Sequence, residues 1–173
     1  MYAYCIYCKP DQEKHIIQTV EAMAPCKALL PLCAQRIWVH SQEVKAIHPL
    51  LPQYLYVYAQ KPIGKLLHDR YISGVEKWLG EKENDYALTG DDYAFAMFLY
   101  ENRGLIDYQT GYEVDRMIML LPCGKEHAAT GEIVKVQRRY QRALIHFRFG
   151  KLVVSLWTGY NLVPAPQTLL ATG

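Results

Sequence analysis

The sequence predicts an α+β protein in two parts, an N-terminal α/β sandwich and a small C-terminal β-barrel. Within residues 1–102 the apolar spacing changes between period two and the helical period, which indicates a sheet covered by helices. Within residues 113–173 the clear patterns have period two, which indicates strands. Because so small a β domain must close its sheet to remove unpaired edges, we predict a barrel there, joined to the first domain by a linker at 103–112.

The first two elements are predicted to be a strand and a helix. Residues 4–8, Tyr-Cys-Ile-Tyr-Cys, are apolar and aromatic, which favours a buried strand. Pro10 suits the first turn of a helix, where no N–H is needed, and Pro25 ends the helical spacing. The apolar face of this helix is expected to hold Ile16, Ile17, Val20 and Met23.

Strands are predicted next. Apolar Leu29–Leu32 and alternating Arg36–His40 indicate two strands, and the polar segment Ser41–Lys45 indicates a turn. A loop that begins at Pro49 then enters a strong strand. Alternation along that strand places Tyr54, Tyr56 and Tyr58 on one face and Leu55 and Val57 on the other.

Two more helices and a short strand complete the first domain. Residues 61–70 predict a short helix, and residues 71–78 predict a short edge strand. Asp91 is expected to cap a third helix. The inward residues of the two helices are predicted to be Ile63, Leu66 and Leu67 in the first, and Ala94, Phe95, Phe98 and Leu99 in the second.

The C-terminal part contains the strongest strand signal. In residues 143–149 one face is apolar throughout, and Gly150 then provides a turn into the strand that begins at Leu152. The apolar face of the first strand consists of Ala143, Ile145, Phe147 and Phe149. These side chains are predicted to fill the inside of the barrel.

Charge is distributed unevenly along the chain, whose net charge is +2. Residues 1–102 carry 10 Lys/Arg against 12 Asp/Glu, whereas residues 103–173 carry 9 against 5. No acidic residue follows Glu132. Six cationic residues lie after Glu132, and we expect them to make the outside of the barrel positive without opposing charge. Such a surface is typical of proteins that bind polyanions. The six residues are Lys135, Arg138, Arg139, Arg142, Arg148 and Lys151.

Three of these cations indicate nucleic acid in particular. Arg138, Arg139 and Arg142 cluster at one turn, and Tyr140 between them can stack on a base. Arg148 and Lys151 lie at the next turn. Each phosphate contact would release counterions and make binding depend on salt. A merely solubilising surface is the alternative, although such surfaces normally mix both signs of charge.

Other classes of protein are less favoured by the composition. No window approaches eighteen uninterrupted apolar residues and the N-terminus has no basic leader, so we expect no membrane association and a cytoplasmic location. Five scattered cysteines argue against a disulfide framework. No phosphate-binding glycine loop or nucleophile motif is present, so we expect no catalytic residue, metal or cofactor.

A zinc or thiol-redox enzyme remains a competing interpretation of Cys5-x-x-Cys8. A separation of three along a strand, however, directs the two thiols to opposite faces of the sheet. Cys26 and Cys33 do not form a second pair at ligand spacing. Buried structural cysteines are therefore the favoured interpretation.

The order of these parts, together with local motifs, resembles the NusG family of transcription elongation factors over almost the whole chain. Residues Tyr4–Lys9 and the helix that follows look like the opening strand and helix of that family. The segment Pro49-Leu-Leu-Pro-Gln-Tyr-Leu-Tyr-Val57 looks like its Pro-Leu-Phe-Pro-Gly-Tyr-Val-Phe-Val loop and strand. Gly74-Val75 followed by Leu79-Gly80 matches the next family signature. The resemblance implies an N-terminal domain of the NusG type with an antiparallel sheet.

The C-terminal part resembles the KOW barrel of the same family. Its motif is matched by Val114-Asp115-Arg116-Met117-Ile118 and by Gly131-Glu132-Ile133-Val134. Arg138-Arg139 and Arg142-Ala143 continue a pattern found in the specialised paralogues of the LoaP and RfaH type.

The chain also departs from the family pattern. Leu51 and Gln53 stand where Phe and Gly are usual, and Pro122-Cys-Gly-Lys125 loosens the usual Gly-Pro before the KOW glycine. The linker is short. These departures favour a specialised paralogue that serves selected operons.

The resemblance implies a monomer that binds the clamp of RNA polymerase through an apolar depression of the N-terminal domain. By position, that depression would be lined by Tyr7, Leu51, Pro52, Tyr54 and Tyr56, although Leu51 and Tyr56 are equally consistent with core residues. Non-template DNA would be contacted by Lys9, Lys14, His15 and Gln18, for which a solvated helix face is the alternative.

The barrel is expected to contact nascent RNA, or a ribosomal or Nus-type protein. Its nucleic-acid residues are predicted to be Lys135, Arg138, Arg139, Tyr140, Arg142, Arg148 and Lys151. The alternative function is a KOW-type RNA-binding or ribosome-associated module that does not bind polymerase.

Overall fold

The computed structural model describes residues 1–114, 116–121 and 131–164. These residues form a mixed α+β structure, which confirms the predicted fold class. The chain divides into two units by its internal contacts. The first unit is Met1–Leu32 with Pro49–Leu105, and the second is Cys33–His48 with Ile106–Gly173. The chain therefore passes three times from one unit to the other.

The described residues form three α-helices and twelve strands. The helices are α1 (Glu13–Met23), α2 (Gly64–His68) and α3 (Gly90–Glu101). The strands are β1 (Tyr2–Cys8), β2 (Cys26–Leu29), β3 (Leu32–Val39), β4 (Gln42–Pro49), β5 (Tyr54–Ala59), β6 (Val75–Trp78), β7 (Leu105–Ile106), β8 (Gln109–Val114), β9 (Met117–Leu120), β10 (Gly131–Gln137), β11 (Arg142–Phe149) and β12 (Leu152–Leu162).

The first unit is built on an antiparallel sheet with the strand order β2-β5-β1-β6. Ile16 and Val20 of α1 pack against one face, together with Leu55 and Val57 of β5, as the periodicity predicts. On the other face the Tyr58 hydroxyl donates a 2.8 Å hydrogen bond to the Ala96 carbonyl of α3. Helices therefore cover both faces of the sheet, and β5 is buried on both sides.

Two details of the predicted helices are corrected. Leu66, predicted to turn inward, is exposed, whereas Ile63 before the five-residue helix α2 and Leu67 within it are buried as predicted. Helix α3 begins at Gly90, with Thr89 as the residue before it, so Asp91 lies inside the first turn rather than at the cap. A carboxylate in the first turn still interacts favourably with the helix dipole.

Residues 33–48 form a β-hairpin rather than the predicted strand and polar turn. The turn consists of His40 and Ser41 alone, with φ of 48° and 65°. Positive φ at both central residues is the requirement of a two-residue type I′ turn. This hairpin belongs to the second unit, whereas the predicted boundaries 1–102 assign it to the first domain.

The predicted linker at 103–112 carries strands. Leu105–Ile106 forms β7, and the first four residues of β8 also fall in this segment. The second stretch of the second unit accordingly begins at Ile106, whereas the predicted barrel domain begins at residue 113. Several positions of the family resemblance, namely Asp115 and the segment Pro122–Lys125 with Cys123, lie outside the described residues.

The second unit contains a five-stranded, nearly closed, barrel-like sheet with the order β10-β11-β12-β8-β9. Strands β12 and β8 pair in parallel, and the other pairs are antiparallel. The two end strands approach each other closely, since a Cβ added to Gly131 would lie 3.3 Å from Leu120 Cδ1. A smaller sheet in the order β4-β3-β7 contains the hairpin.

The interior of the second unit combines the predicted apolar face with polar side chains. Ala143, Ile145, Phe147 and Phe149 are all buried, which confirms the alternation predicted for β11. The polar residues that are buried in the described part of the chain are Arg36, Gln109 and Thr158, and all three belong to this unit.

Candidate functional site

The basic turn predicted between β10 and β11 is a single turn of 3-10 helix over Arg138–Tyr140. Gln141 closes it in the left-handed conformation, with φ of 45°. The three residues of the turn are exposed, Tyr140 by 40%. The turn thus places a large aromatic ring and two arginines in solvent at one end of a strand pair.

Tyr140 is flanked by two guanidinium groups. The guanidinium carbon of Arg139 lies 5.7 Å from the centre of the Tyr140 ring, and that of Arg142 lies 5.3 Å away. Arg142 also lies 5.3 Å from the ring centre of Trp157, and its Nε donates a 2.5 Å hydrogen bond to Gln137. We name the four residues Arg139, Tyr140, Arg142 and Trp157 the arginine–aromatic cluster.

The cations of the cluster differ from two others that the sequence groups with them. Arg138 forms a 3.0 Å ion pair with Glu113, and Arg148 forms a 3.0 Å ion pair with Glu132. The prediction of an unopposed positive surface is therefore wrong at these two positions, because β8 and β10 bring carboxylates beside them. Within the part of the chain that the structure describes, neither Arg139 nor Arg142 pairs with a carboxylate.

The two predicted lysines lie elsewhere on the second unit. Lys135 is exposed on β10, next to the point where the register with β11 shifts. Lys151 is exposed in the turn between β11 and β12, after Gly150. Neither residue is part of the arginine–aromatic cluster.

A residue that the sequence interpretation missed lies against the cluster. Trp38, near the end of β3, is 46% exposed. Together with Ser41, Arg139 and Tyr140 it lines an open cleft of about 380 Å³. The signal that could have identified this residue is a tryptophan on an alternating strand next to a turn. Tryptophan is so large that it is rarely fully buried.

The predicted polymerase-binding residues of the first unit are brought together only in part. The rings of Tyr7 and Tyr54 are 5.1 Å apart at an angle of 55°, and both side chains are half-buried. Leu51 is half-buried and Pro52 is exposed in the loop that leads to β5. We name these four residues, Tyr7, Leu51, Pro52 and Tyr54, the tyrosine surface.

The loop of the tyrosine surface is held to β1 by Gln53. The Cys8 backbone N–H donates to the Gln53 carbonyl at 2.9 Å, and the Gln53 side-chain amide donates to the Cys8 carbonyl at 3.1 Å. Gln53 has φ of 70°, a conformation that glycine adopts more easily. The side-chain hydrogen bond compensates for the strain, which explains how glutamine can occupy this position.

Tyr56, the fifth predicted contact, is a core residue. Only 6% of it is exposed, and its ring meets the Phe95 ring edge-on at 5.9 Å. Burial and the neighbouring Cys5 thiol raise the pKa of its phenol. Helix α3 covers this part of the sheet, so Tyr56 supports the sheet and does not contribute to its surface.

The residues predicted to contact DNA are exposed. Lys14, His15 and Gln18 lie on α1, and Lys9 lies at its entry. His15 and Gln18 are one turn apart, and Lys14 and Gln18 are four residues apart, so they share one face of the helix. The geometry permits contact with a ligand and is equally that of a solvated helix face.

The cysteines of the Cys5-x-x-Cys8 pattern are buried on opposite faces of the first sheet. Cys8 packs in the core beneath α1, and Cys5 lies beside its cross-strand neighbour Tyr56 on the other face. Burial raises the pKa of Cys5 to about 12 and that of Cys8 to about 11. Both are held as neutral thiols, whereas a nucleophile or metal ligand must be a thiolate.

The described residues lack a metal-binding cluster and a helix that could span a membrane. Residues 1–114, 116–121 and 131–164 contain no group of three or more His, Cys, Asp or Glu side chains arranged to hold a metal ion. None of the helices in these ranges has the length and apolar character needed to cross a membrane.

In comparisons with known proteins, no family model matches the chain and no curated protein matches it.

Proposed function

We propose that this chain is a transcription elongation and antitermination factor of the NusG type. Its first unit would be the polymerase-binding domain, and the barrel-like sheet of its second unit would be a KOW barrel that binds nascent RNA. It would act in the cytoplasm as a monomer, as a binding protein without a catalytic residue or cofactor. The proposal combines the sequence resemblance with the two surfaces described above.

The observation that carries the proposal is the arginine–aromatic cluster. An exposed tyrosine offers a face on which a base can stack, and stacking of this kind does not depend strongly on sequence. Arg139 and Arg142 can meet phosphates on either side of that base, since no carboxylate of the described chain neutralises them. Arg138 and Arg148, already paired, would contribute less.

Polymerase binding is assigned to the tyrosine surface. Tyrosine provides a large contact area with few rotors to freeze, which is why it is enriched among the residues that dominate interfaces. The clamp of Gln53 on Cys8 fixes the loop before binding, so little conformational entropy would be lost. The exposed face of α1 with Lys9, Lys14, His15 and Gln18 would lie toward non-template DNA.

Polymerase binding is tested by a pull-down with Tyr54→Ala. We expect the variant to lose at least about 30-fold in affinity for purified RNA polymerase, the effect of a residue that dominates an interface. Tyr71→Ala is the matched control, because Tyr71 is a 92% exposed tyrosine of the same unit. Full binding by Tyr54→Ala would remove the polymerase assignment.

A second candidate is an RNA-binding or ribosome-associated module that never meets polymerase. Apolar side chains at the end strands favour a protein partner for the barrel, since Met117, Met119 and Val134 are all about half exposed or more. They surround a groove of about 730 Å³ between β9 and β10. A ribosomal or Nus-type protein could bind there. Co-purification of the chain with ribosomes but not with polymerase would favour this candidate.

A further inference from the structure

We propose that the cleft between Trp38 and Tyr140 holds one unpaired base of RNA, with Arg139 and Arg142 on the adjacent phosphates. The inference rests on the proposed RNA-binding function of the second unit and adds the substrate class. It also adds a residue of the hairpin, far from the basic turn in sequence, to the binding surface.

The cleft has the shape and chemistry of a base-binding site. Its volume of about 380 Å³ lies in the range of about 300–1,000 Å³ that small-ligand sites occupy. Trp38 and Tyr140 are both exposed, by 46% and 40%, and each presents an aromatic surface. A base that enters from solvent would stack against aromatic side chains and would bury their exposed surface.

The side of the cleft formed by Trp38 is held in place from inside the unit. Residues 34, 36 and 38 share one face of β3, because side chains alternate along a strand. Along this face exposure rises from 0% at Ala34 through 5% at Arg36 to 46% at Trp38. The part of β3 with Ala34 and Arg36 is therefore fixed in the core, and the strand reaches the surface at Trp38.

Arg36 connects this strand directly to the basic turn. Its guanidinium hydrogen-bonds to the side chain of Gln141, the residue after Tyr140. It also donates to the Asn161 side chain at 2.8 Å and lies 4.8 Å from the Tyr108 ring centre. The two sides of the cleft are thus joined by a buried arginine, which preorganises them for a ligand.

The charge and polarity of the cleft suit a nucleotide. None of the four residues that line it is acidic, and Arg139 is among them. Arg142 lies 5.3 Å from the centre of the Tyr140 ring and also contacts Trp157. The Ser41 hydroxyl offers a donor and acceptor for the edge of a base. A duplex cannot place a base in this cleft unless the base leaves the stack.

The proposal is tested with two RNA hairpins that differ in one nucleotide. One carries a single bulged 2-aminopurine, and the other pairs the same nucleotide within the stem. We expect the wild-type full chain to bind the bulged hairpin more tightly and to quench its fluorescence by stacking. Trp38→Ala should weaken that binding by about five- to 150-fold, the loss expected for one stacked base, and should leave the paired hairpin unchanged.

Two variants serve as controls. Trp38→Phe keeps an aromatic face and should retain most of the affinity and the quenching. Tyr71→Ala removes a more exposed aromatic ring from the first unit and should change neither. Circular dichroism of each variant checks that the fold is retained, which the exposure of both side chains favours.

The possible outcomes distinguish failure of the base-binding site from failure of the proposed RNA-binding function. If wild type binds neither hairpin at low salt, the proposed RNA-binding function fails and the inference with it. If wild type binds both hairpins equally and Trp38→Ala matches it, the function stands and the base site is overturned. Tighter binding of a DNA hairpin of the same sequence would contradict the assignment to RNA.

Discussion

The two units bury different kinds of side chain. In the first unit, aromatic and aliphatic residues fill both sides of the sheet, as with Leu55 and Val57 beneath α1. In the second unit, Arg36, Gln109 and Thr158 are buried among apolar residues. An apolar core tolerates changes of side-chain shape at similar volume, whereas burying a polar group costs free energy unless that group is hydrogen-bonded. The second unit therefore depends on a few specific contacts.

The aromatic residues at the surfaces of the two units also differ. Tyr7 and Tyr54 of the first unit lie against each other, and no cation of the described residues lies over either ring. Tyr140 of the second unit lies within 6 Å of two guanidinium groups. A neutral aromatic pair suits a protein partner, and an aromatic ring between cations suits a polyanion. We therefore propose different partners for the two surfaces, although both are rich in tyrosine.

The largest effect is expected from a cavity in the first unit. Leu55→Ala should lower the free energy of unfolding of that unit by about 2–5 kcal/mol, because Leu55 is fully buried. Leu66→Ala, at a 45% exposed position of the same unit, should change it by less than about 0.5 kcal/mol. Hydrogen exchange of peptides from β1 and β5 measures the difference. Equal effects would show that the sheet is not packed as described.

A smaller effect, confined to the second unit, is expected from Arg36→Met. The change keeps the apolar stem but removes the hydrogen bonds to Gln141 and Asn161 and the 2.9 Å charge contact with Glu43. We expect a loss of about 2–3 kcal/mol. Amide hydrogen exchange should become faster in β11 and β12 and should stay unchanged in β1. Arg70→Met, at an exposed position, is the control, and a neutral result for Arg36→Met would refute the polar anchor.

Thr158→Val tests the second buried polar group. The Thr158 hydroxyl, fully buried, donates to the Ala34 carbonyl at 3.1 Å. Valine has the same shape without the donor, so we expect a loss of about 1–2 kcal/mol. Thr19→Val removes a hydroxyl that donates a solvent-exposed hydrogen bond to the His15 carbonyl within α1, and it should cost less than about 0.5 kcal/mol. Urea unfolding of both variants supplies the comparison.

The smallest effect concerns the pH dependence of the second unit. Burial raises the pKa of Asp107, but hydrogen bonds from the Lys45 ammonium and the Tyr108 N–H outweigh it and hold the pKa below the ordinary value of 3.8. A carboxyl with a depressed folded pKa stabilises the protein above its unfolded pKa, and this contribution is lost as the pH falls through the folded value.

Lys45→Met should therefore flatten the dependence of stability on pH between about pH 5 and pH 2. The change is expected to be small, because the Lys45 and Asp107 side chains are 42% and 53% exposed. Urea unfolding across this range measures it, with Lys77→Met of the first unit as the control. A parallel shift of the curve without flattening would mean that the ion pair does not set the pKa.

Alternation and helical spacing predicted much of the fold, because they report directly which side of an element is apolar. The buried face of β11 and the position of Leu55 and Val57 follow from such spacing. The same spacing could not show that α3 buries Tyr56, since one strand pattern does not reveal whether its second face is covered. The type I′ turn was missed because His40-Ser41 lacks the Asn or Gly that usually marks it.

The candidate site was predicted less completely for a different reason. Tyr140 and its neighbouring arginines are close in sequence, and a local pattern was sufficient to find them. The carboxylates beside Arg138 and Arg148 come from other strands, so the absence of acids after Glu132 did not mean an absence of acids in space. Trp38 is far from Tyr140 in sequence, and only the tertiary fold brings it to the cleft. No short sequence motif reveals such a long-range contact.

The salt dependence of RNA binding tests the central claim most directly, with two double variants of the full chain. Arg139→Ala with Arg142→Ala removes the cations of the cluster, and Arg138→Ala with Arg148→Ala removes the same number of carboxylate-paired cations. Plots of log affinity against log salt should lose about 1.4 to 1.8 in slope for the first pair and little for the second. Equal losses, or a loss only in the second pair, would contradict the assignment of phosphate contact to the arginine–aromatic cluster.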